Sequence, residues 1–286
     1  MNKYHSENYD NKYWEIILGP WLNTFLSIIY DRYQSLKYFS KNNKNVSSST
    51  FFIFDEIKLR PKNSYQFKFL SQSDLWNQFI YQKIAENSSF FKKIKIYYLS
   101  KMSPDFIDTQ IASIYPNKKQ NTLKIFLKKN IVKIFTQSKK INLFLYDSGL
   151  SYKTTFSLWT NINKLVSTSL FDFDVNKNNQ NRSFEFIESK KKESELESIN
   201  RILINELMPE SFVESYSTIS KNLKKNYNFI PKIIFTSFGY KVYDCFKIWS
   251  AKNIFHHRSK LILFQHGGFG TYENSLDEDH QISISN

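Results

Sequence analysis

The residue types best suited to chemistry are concentrated in residues 265–270, which read Gln-His-Gly-Gly-Phe-Gly. Three of the six glycines of the chain fall in this segment, which predicts a backbone with positive φ or one that closely approaches a ligand. Backbone N–H groups in such a turn can hold a phosphate or a carboxylate. His266 directly precedes the glycines and could supply a charge or transfer a proton. A tight turn without a ligand is the alternative interpretation.

An acidic cluster follows this segment and contains Glu273, Asp277, Glu278 and Asp279. A carboxylate near His266 could act as a base or orient the imidazole, and we select Glu278 for that role. An exposed acidic loop is equally compatible with the spacing.

The histidine and cysteine content argues against a metal site. Four of the five histidines lie after Phe255, but no pair has a spacing typical of metal ligands. The single cysteine, Cys245, excludes an internal disulfide framework and a multi-cysteine zinc site. Its apolar sequence neighbours indicate a buried structural role rather than a nucleophile. We therefore expect neither a metal nor another cofactor.

Two short apolar runs, residues 232–237 and 260–265, flank a helix predicted over 241–252. A strand, a helix and a strand with short connections form a βαβ unit, which requires parallel strands. Ligands of open parallel sheets bind beyond the carboxyl ends of the strands. Ser237 and His266 are therefore predicted to share one edge of a sheet.

The rest of the chain also alternates between helical and strand patterns, which predicts an α/β fold. Pro20 is predicted to begin an amphipathic helix that runs to about residue 39, after a separate short helix over 13–18. A polar loop over 40–50, a strand over 94–99 and a strand over 141–146 are expected along the chain. Further helices are predicted over residues 73–86, 121–137, 152–165 and 190–208, with a polar linker over 176–182.

The net charge of +14 has three interpretations. The first is that it only reflects a composition rich in Lys, Asn, Ile, Phe and Tyr. The second is that the charge attracts anionic substrates or an anionic membrane surface. The third is that it serves nucleic-acid binding. The basic residues are spread along the chain without a recognised nucleic-acid motif, so no specific nucleic-acid partner is expected. The polar N-terminus and the absence of a run of ~18 apolar residues predict a cytoplasmic protein, with peripheral contact with the inner membrane left open.

Several segments together resemble a family of transferases found in bacterial O-antigen and surface-polysaccharide loci. They are residues 13–22 (YWEIILGPWL), 30–33 (YDRY), 207–210 (LMPE), 234–237 (IFTS), 265–270 (QHGGFG) and 278–285 (EDHQISIS). The resemblance covers nearly the whole chain, but members of that family begin earlier and continue beyond Asn286. They usually carry arginine where Glu15 stands and asparagine where Phe238 stands. The chain is therefore expected to be an internal fragment.

The resemblance implies a GT-B-like architecture, in which Rossmann-like parallel sheets are flanked by helices. Residues 1–228 would form an N-terminal α/β lobe, incomplete at its start, with connecting helices. Residues 229–286 would form the first βαβ unit of a truncated second lobe.

The same resemblance implies a glycosyltransferase of surface-polysaccharide, O-antigen or lipopolysaccharide biosynthesis. It would transfer a sugar from a nucleotide-linked donor to a glycan acceptor, and a second polypeptide could complete the fold. His266 would contact the donor phosphate or act as the acid/base group. The donor would be bound by Ser237, Gln265, Gly267, Gly268, Gly270, Tyr272 and Arg32. The alternatives are a non-enzymatic anion- or nucleic-acid-binding module and an inactive fragment of the transferase.

Overall fold

The structure is a computed structural model that describes residues 1–114, 140–162, 165–168, 182, 185, 187–189, 191–264 and 276–285. The chain forms two compact units, which we name by their sheets. The four-strand unit comprises Met1–Asn23, Lys118–Val175 and Glu214–Asn286. The two-strand unit comprises Thr24–Asn117 and Asn176–Val213. The division into lobes 1–228 and 229–286 stays a prediction.

Helices and strands alternate along the described part of the chain. The α-helices are α1 (Asn2–His5), α2 (Asn11–Asn42), α3 (Glu56–Leu59), α4 (Ser64–Leu70), α5 (Asp74–Asn87), α6 (Pro104–Ile114), α7 (Tyr152–Asn161), α8 (Glu195–Leu207), α9 (Tyr216–Asn226), α10 (Gly239–Val242), α11 (Asp244–His257) and α12 (Leu276–Ile284). The strands are β1 (Ser48–Ile53), β2 (Lys95–Lys101), β3 (Lys140–Tyr146), β4 (Leu165–Thr168), β5 (Ile230–Thr236) and β6 (Lys260–Leu263).

The sheet of the four-strand unit has the order β4-β3-β5-β6, and each pairing is parallel. Leu143 of β3 aligns with Leu165 on one side and with Ile233 on the other. Ile141, Phe144 and Leu145 of β3 are buried, as expected for a central strand of a parallel sheet covered by helices. The predicted α/β fold with parallel sheets flanked by helices is confirmed.

The predicted βαβ unit is also confirmed, because β5 and β6 are adjacent and parallel, with Ile234 opposite Leu261. The connecting helix α11 begins at Asp244, later than predicted, and extends to His257. The short helix α10 precedes it. Trp249 of α11 is buried and donates its indole N–H to the Tyr227 carbonyl at 3.0 Å, which anchors the helix within this unit.

The predicted break between a short helix and one that begins at Pro20 is wrong, since α2 continues through Gly19 and Pro20. Proline removes one backbone N–H donor and crowds the carbonyl four residues earlier. Burial of Ile16, Ile17 and Trp21 on either side of it offsets that cost, because each is at most 2% exposed. The predicted polar loop is shorter than expected, because α2 extends to Asn42 and β1 begins at Ser48.

The two-strand unit is built around the parallel pair β1-β2, in which Ser49 aligns with Ile96. Its buried cluster contains Phe51, Ala85, Phe91 and Ile94. The helix α5, predicted over 73–86, begins after Ser73, whose hydroxyl accepts a hydrogen bond from the Trp76 backbone N–H. The helix α8, predicted over 190–208, begins later, with a capping box between Ser194 and Glu197.

The sequence analysis missed two strands, β1 and β4, and six helices, α1, α3, α4, α6, α9 and α12. The helix predicted over 152–165 ends at Asn161, and β4 begins at Leu165. The helix predicted over 121–137 lies outside the described residues, as does most of the linker predicted over 176–182. Among the described helices, none is long and apolar enough to cross a membrane.

Candidate functional site

The strand order of the four-strand unit creates a switch point between β3 and β5. From β3 the chain passes through α7 to β4 on one side, whereas from β5 it passes through α11 to β6 on the other side. In open parallel sheets, ligands bind outside the carboxyl ends of the strands at such a reversal. The loops that follow β3 and β5 therefore frame the candidate site, and we call this region the β3/β5 crevice.

The loop after β3 consists of Asp147, Ser148 and Gly149. Asp147 has φ +46° and Gly149 has φ +69°, so both adopt the left-handed conformation. Aspartate tolerates this region better than most residues, and glycine enters it without a Cβ penalty. The turn ends at Ser151, whose hydroxyl accepts a hydrogen bond at 3.1 Å from the Thr154 N–H and caps α7.

The loop after β5 is hydrogen-bonded to the loop after β3. The backbone N–H groups of Ser237 and Phe238 donate to the Asp147 carbonyl at 3.2 and 3.4 Å. The Ser237 hydroxyl donates to the Ser148 carbonyl at 2.7 Å. These bonds fix the two sides of the crevice relative to each other, and they use the donor capacity of the Ser237 hydroxyl for that purpose.

Gly239 is required by close packing at the base of the second loop. A Cβ at this position would lie 2.4 Å from Tyr146 Cδ1 and 2.7 Å from Thr236 Oγ1. The Gly239 N–H donates to the same Thr236 oxygen at 2.9 Å. Any larger residue would therefore force the side chains of Tyr146 and Thr236, or the loop that carries Gly239, to shift.

The Asp147 carboxyl group is partly buried at the end of β3. Desolvation by partial burial raises its pKa above the ordinary value of 3.8. Its side chain makes no hydrogen bond or ion pair within the described residues. A partly buried carboxyl with a raised pKa at the edge of a crevice is a candidate for proton transfer.

Sequence reasoning did not assign Asp147 to the site. The signal was present, since an aspartate directly follows an apolar strand and precedes Ser-Gly. The missing information was the pairing of β3 with β5, which are distant in sequence.

Most predicted site residues lie outside the described part of the chain, namely Gln265, His266, Gly267, Gly268, Gly270, Tyr272 and the side chain of Glu278. Their roles stay predictions. Phe264, the last described residue before them, donates its N–H to the Thr236 carbonyl at 2.9 Å. The chain therefore enters the glycine segment directly from the strand edge that also carries Ser237.

Arg32 belongs to the two-strand unit. Its guanidinium forms an ion pair with Asp31, donates from Nε to Asn77 Oδ1 at 3.0 Å, and lies 6.0 Å from the Tyr81 ring centroid. Arg32 is therefore held by local contacts, and its role in donor binding stays a prediction.

The first and last segments of the family resemblance pack against each other within the four-strand unit. His280 Nε2 lies 3.3 Å from the Glu15 carbonyl, and the Ser283 hydroxyl donates to the Glu15 carboxylate. A Cβ at Gly19 would lie 1.9 Å from His280 Nε2. The helix α12 is thus docked on α2, which fixes the point at which the chain leaves residues 265–275. Sequence reasoning did not predict this contact.

Within the described residues, no group of three or more His, Cys, Asp and Glu side chains is placed to hold a metal ion. A family model described as LIC12162 family transferase matches residues 1–286, the full length of the sequence. The comparisons with curated proteins and with solved structures gave no match.

Proposed function

We propose that this chain, which belongs to the LIC12162 family of transferases, transfers a sugar from a nucleotide-linked donor to a growing glycan. The observation that carries the proposal is the β3/β5 crevice, whose two loops are hydrogen-bonded to each other, and one of these loops carries the Asp147 carboxyl group with its raised pKa. Nucleotide ligands commonly occupy the switch point of a parallel α/β sheet.

The donor phosphates are assigned to the glycine segment that follows β6. Backbone N–H groups of Gly267, Gly268 and Gly270 would hold the diphosphate, with His266, Gln265 and Tyr272 as further contacts. Negative charge grows on the leaving diphosphate during the reaction, so N–H donors aimed at its oxygens favour the transition state.

The proposed reaction forms one bond and breaks one bond at the anomeric carbon of the donor sugar. An acceptor hydroxyl oxygen bonds to that carbon while the bond from the carbon to the phosphate oxygen breaks. The bonding electron pair leaves with the nucleoside diphosphate, and the hydroxyl proton passes to a base. We assign Asp147 as that base because a raised pKa makes its carboxylate a better proton acceptor. Glu278 is the second candidate.

The proposed acceptor is a bacterial surface polysaccharide, including O-antigen and lipopolysaccharide glycans. The resemblance of the chain to transferases from such loci supports this assignment. The net charge of +14 favours contact with the anionic inner leaflet, where a lipid-linked acceptor would be available to a cytoplasmic enzyme.

The test is to incubate the protein with nucleotide sugars and a bacterial membrane fraction as acceptor, and to measure release of nucleoside diphosphate. We expect turnover with at least one donor, and an Asp147→Asn variant with turnover reduced by about 10²–10⁴-fold. Asp105→Asn is the matched control, because Asp105 is an exposed residue of α6 in the two-strand unit. Equal turnover in Asp147→Asn and the wild type would remove Asp147 from the mechanism. No turnover with any donor would contradict the proposed reaction.

A further inference from the structure

A second concave surface lies wholly within the two-strand unit. A cavity of about 520 Å³ opens between the second half of α2, the strand β1 and the first two turns of α5. We propose that this cavity, here called the α5 groove, binds one or two sugar residues of an uncharged glycan segment. Its volume is in the usual range for small-molecule sites. That the glycan is the acceptor of the transfer reaction rests on the proposed function.

The floor of the α5 groove is apolar and aromatic. Phe51 is 7% exposed and belongs to the buried cluster of the unit, against which Leu36 and Tyr81 pack. Phe39, which is 40% exposed, also lines the groove. The faces of aromatic rings carry negative charge density, which attracts the slightly positive C–H groups on the apolar face of a sugar ring.

The rim of the α5 groove offers polar side chains with unused hydrogen-bonding capacity. Asp74, Gln78, Ser49 and Thr50 line it, and their side chains make no hydrogen bond within the described residues. A carboxylate accepts hydrogen bonds, whereas an amide and a hydroxyl both accept and donate them. This combination above an aromatic floor matches a sugar, which presents hydroxyl groups around its edge and C–H groups on its faces.

The helix α5, which carries Asp74 and Gln78 of this rim, is held rigidly. Asn77 donates its side-chain N–H to the carbonyls of Ser71 and Ser73 at 3.2 and 2.9 Å, and accepts from Arg32 Nε. The Ser73 cap fixes the first turn of α5. A preorganised rim loses little conformational entropy when a ligand binds, which favours recognition of a small polar ligand.

The charge of the groove argues against an anionic ligand. Among the lining residues there is no lysine or arginine, and the Asp74 carboxylate would repel a phosphate. The neighbouring Arg32, which contacts Asn77, has its charge offset by the ion pair with Asp31. A nucleic acid or a nucleotide is therefore a poor fit, although the chain as a whole carries a net charge of +14. An uncharged or N-acetylated sugar avoids this repulsion.

The test measures binding of diacetylchitobiose, cellobiose and maltose to the protein by saturation-transfer NMR. We expect at least one disaccharide to bind with a millimolar Kd. Tyr81→Ala and Gln78→Ala should each weaken binding at least about tenfold, because they remove floor and rim contacts. Gln78→Ala keeps the test decisive if Tyr81→Ala fails to fold. Tyr97→Ala is the matched control, since Tyr97 is 48% exposed on β2 and does not line the groove.

Each outcome of this experiment decides the assignment. Absence of binding by all three disaccharides, or equal binding in the groove variants and the wild type, would overturn it. So would a groove covered by a second copy of the chain, detected as a dimer that Gln78→Ala dissociates. The assay contains no nucleotide sugar, so sugar binding without any transfer activity would contradict the proposed function and leave the α5 groove intact.

Discussion

At residue 147 the backbone conformation and the carboxylate have separate explanations. The φ of +46° suits asparagine at least as well as aspartate, so the turn itself does not require a carboxylate. Partial burial instead makes the ionised carboxylate less stable in the folded protein, because desolvation raises its pKa. A residue that is retained at a cost to stability is a reasonable candidate for a chemical role.

We expect Asp147→Asn to be more stable than the wild type at neutral pH. The folded-state pKa of Asp147 lies above its ordinary value of 3.8, so the native state binds this proton more tightly than the unfolded state does. The wild type therefore loses stability as the pH rises from about 3.8 through the folded pKa, and the variant does not. Thermal unfolding at a series of pH values checks this expectation. A lower Tm of the variant at pH 7 would show that the carboxylate is stabilised in the folded state.

At residue 19 the absence of a side chain is a packing requirement. A methyl group there would overlap the His280 ring, so Gly19→Ala should reduce the free energy of unfolding by about 1–3 kcal/mol. Denaturant unfolding of the single variants and of Gly19→Ala/His280→Ala measures the coupling. We expect the added methyl to cost little once His280 is alanine. If Gly19→Ala lowered the free energy of unfolding equally in the wild type and in His280→Ala, Gly19 and His280 would not be in contact.

At the scale of elements, α11 carries a fully buried ion pair. Lys247 Nζ lies 2.8 Å from Asp244 Oδ1, and both side chains are at most 2% exposed. Burial lowers the pKa of Lys247, and the neighbouring carboxylate opposes that shift. The pair lies in the first turns of the helix that links β5 to β6, so its integrity affects the geometry of the sheet edge.

Lys247→Met should therefore destabilise the protein by about 3–5 kcal/mol, because it leaves the Asp244 carboxylate buried without its cation. Asp244→Leu/Lys247→Met is the comparison, since it removes both charges. We expect the double variant to be more stable than the single one in denaturant unfolding. A single variant that unfolds at a higher denaturant concentration than the double variant would contradict this account of α11.

The elements that could be predicted from the sequence are those fixed by local patterns. The β5-α11-β6 unit is an example, because short connections and a parallel crossover leave few alternatives. The pairing of β3 with β5 could not be predicted, since it depends on burial across distant parts of the chain. For the same reason, a break was wrongly predicted at Pro20 and Asp147 was not assigned to the site.

At the scale of the whole molecule, the two proposed sites differ in chemical character. The charged donor is assigned to the sheet edge that carries Ser237 and to the glycine segment that follows β6 in the sequence, whereas the α5 groove in the two-strand unit suits an uncharged sugar. A transferase needs sites for a charged donor and for an acceptor, and each unit carries one of the two proposed sites. A non-enzymatic nucleic-acid-binding module would instead bind random oligonucleotides with steep salt dependence.

The assignment of the donor to the edge of the sheet after β5 and β6 is tested most directly by the binding of nucleotide sugars, measured by titration calorimetry. The comparison is between the wild type, His266→Ala and His257→Ala. His257 is the matched control because it is exposed in the last turn of α11, near the amino end of β6. We expect at least one nucleotide sugar to bind with a micromolar Kd, His266→Ala to weaken binding at least about tenfold, and His257→Ala to leave it unchanged. Equal donor affinity in all three proteins, or no binding by any of them, would contradict the assignment of the donor to this edge of the sheet.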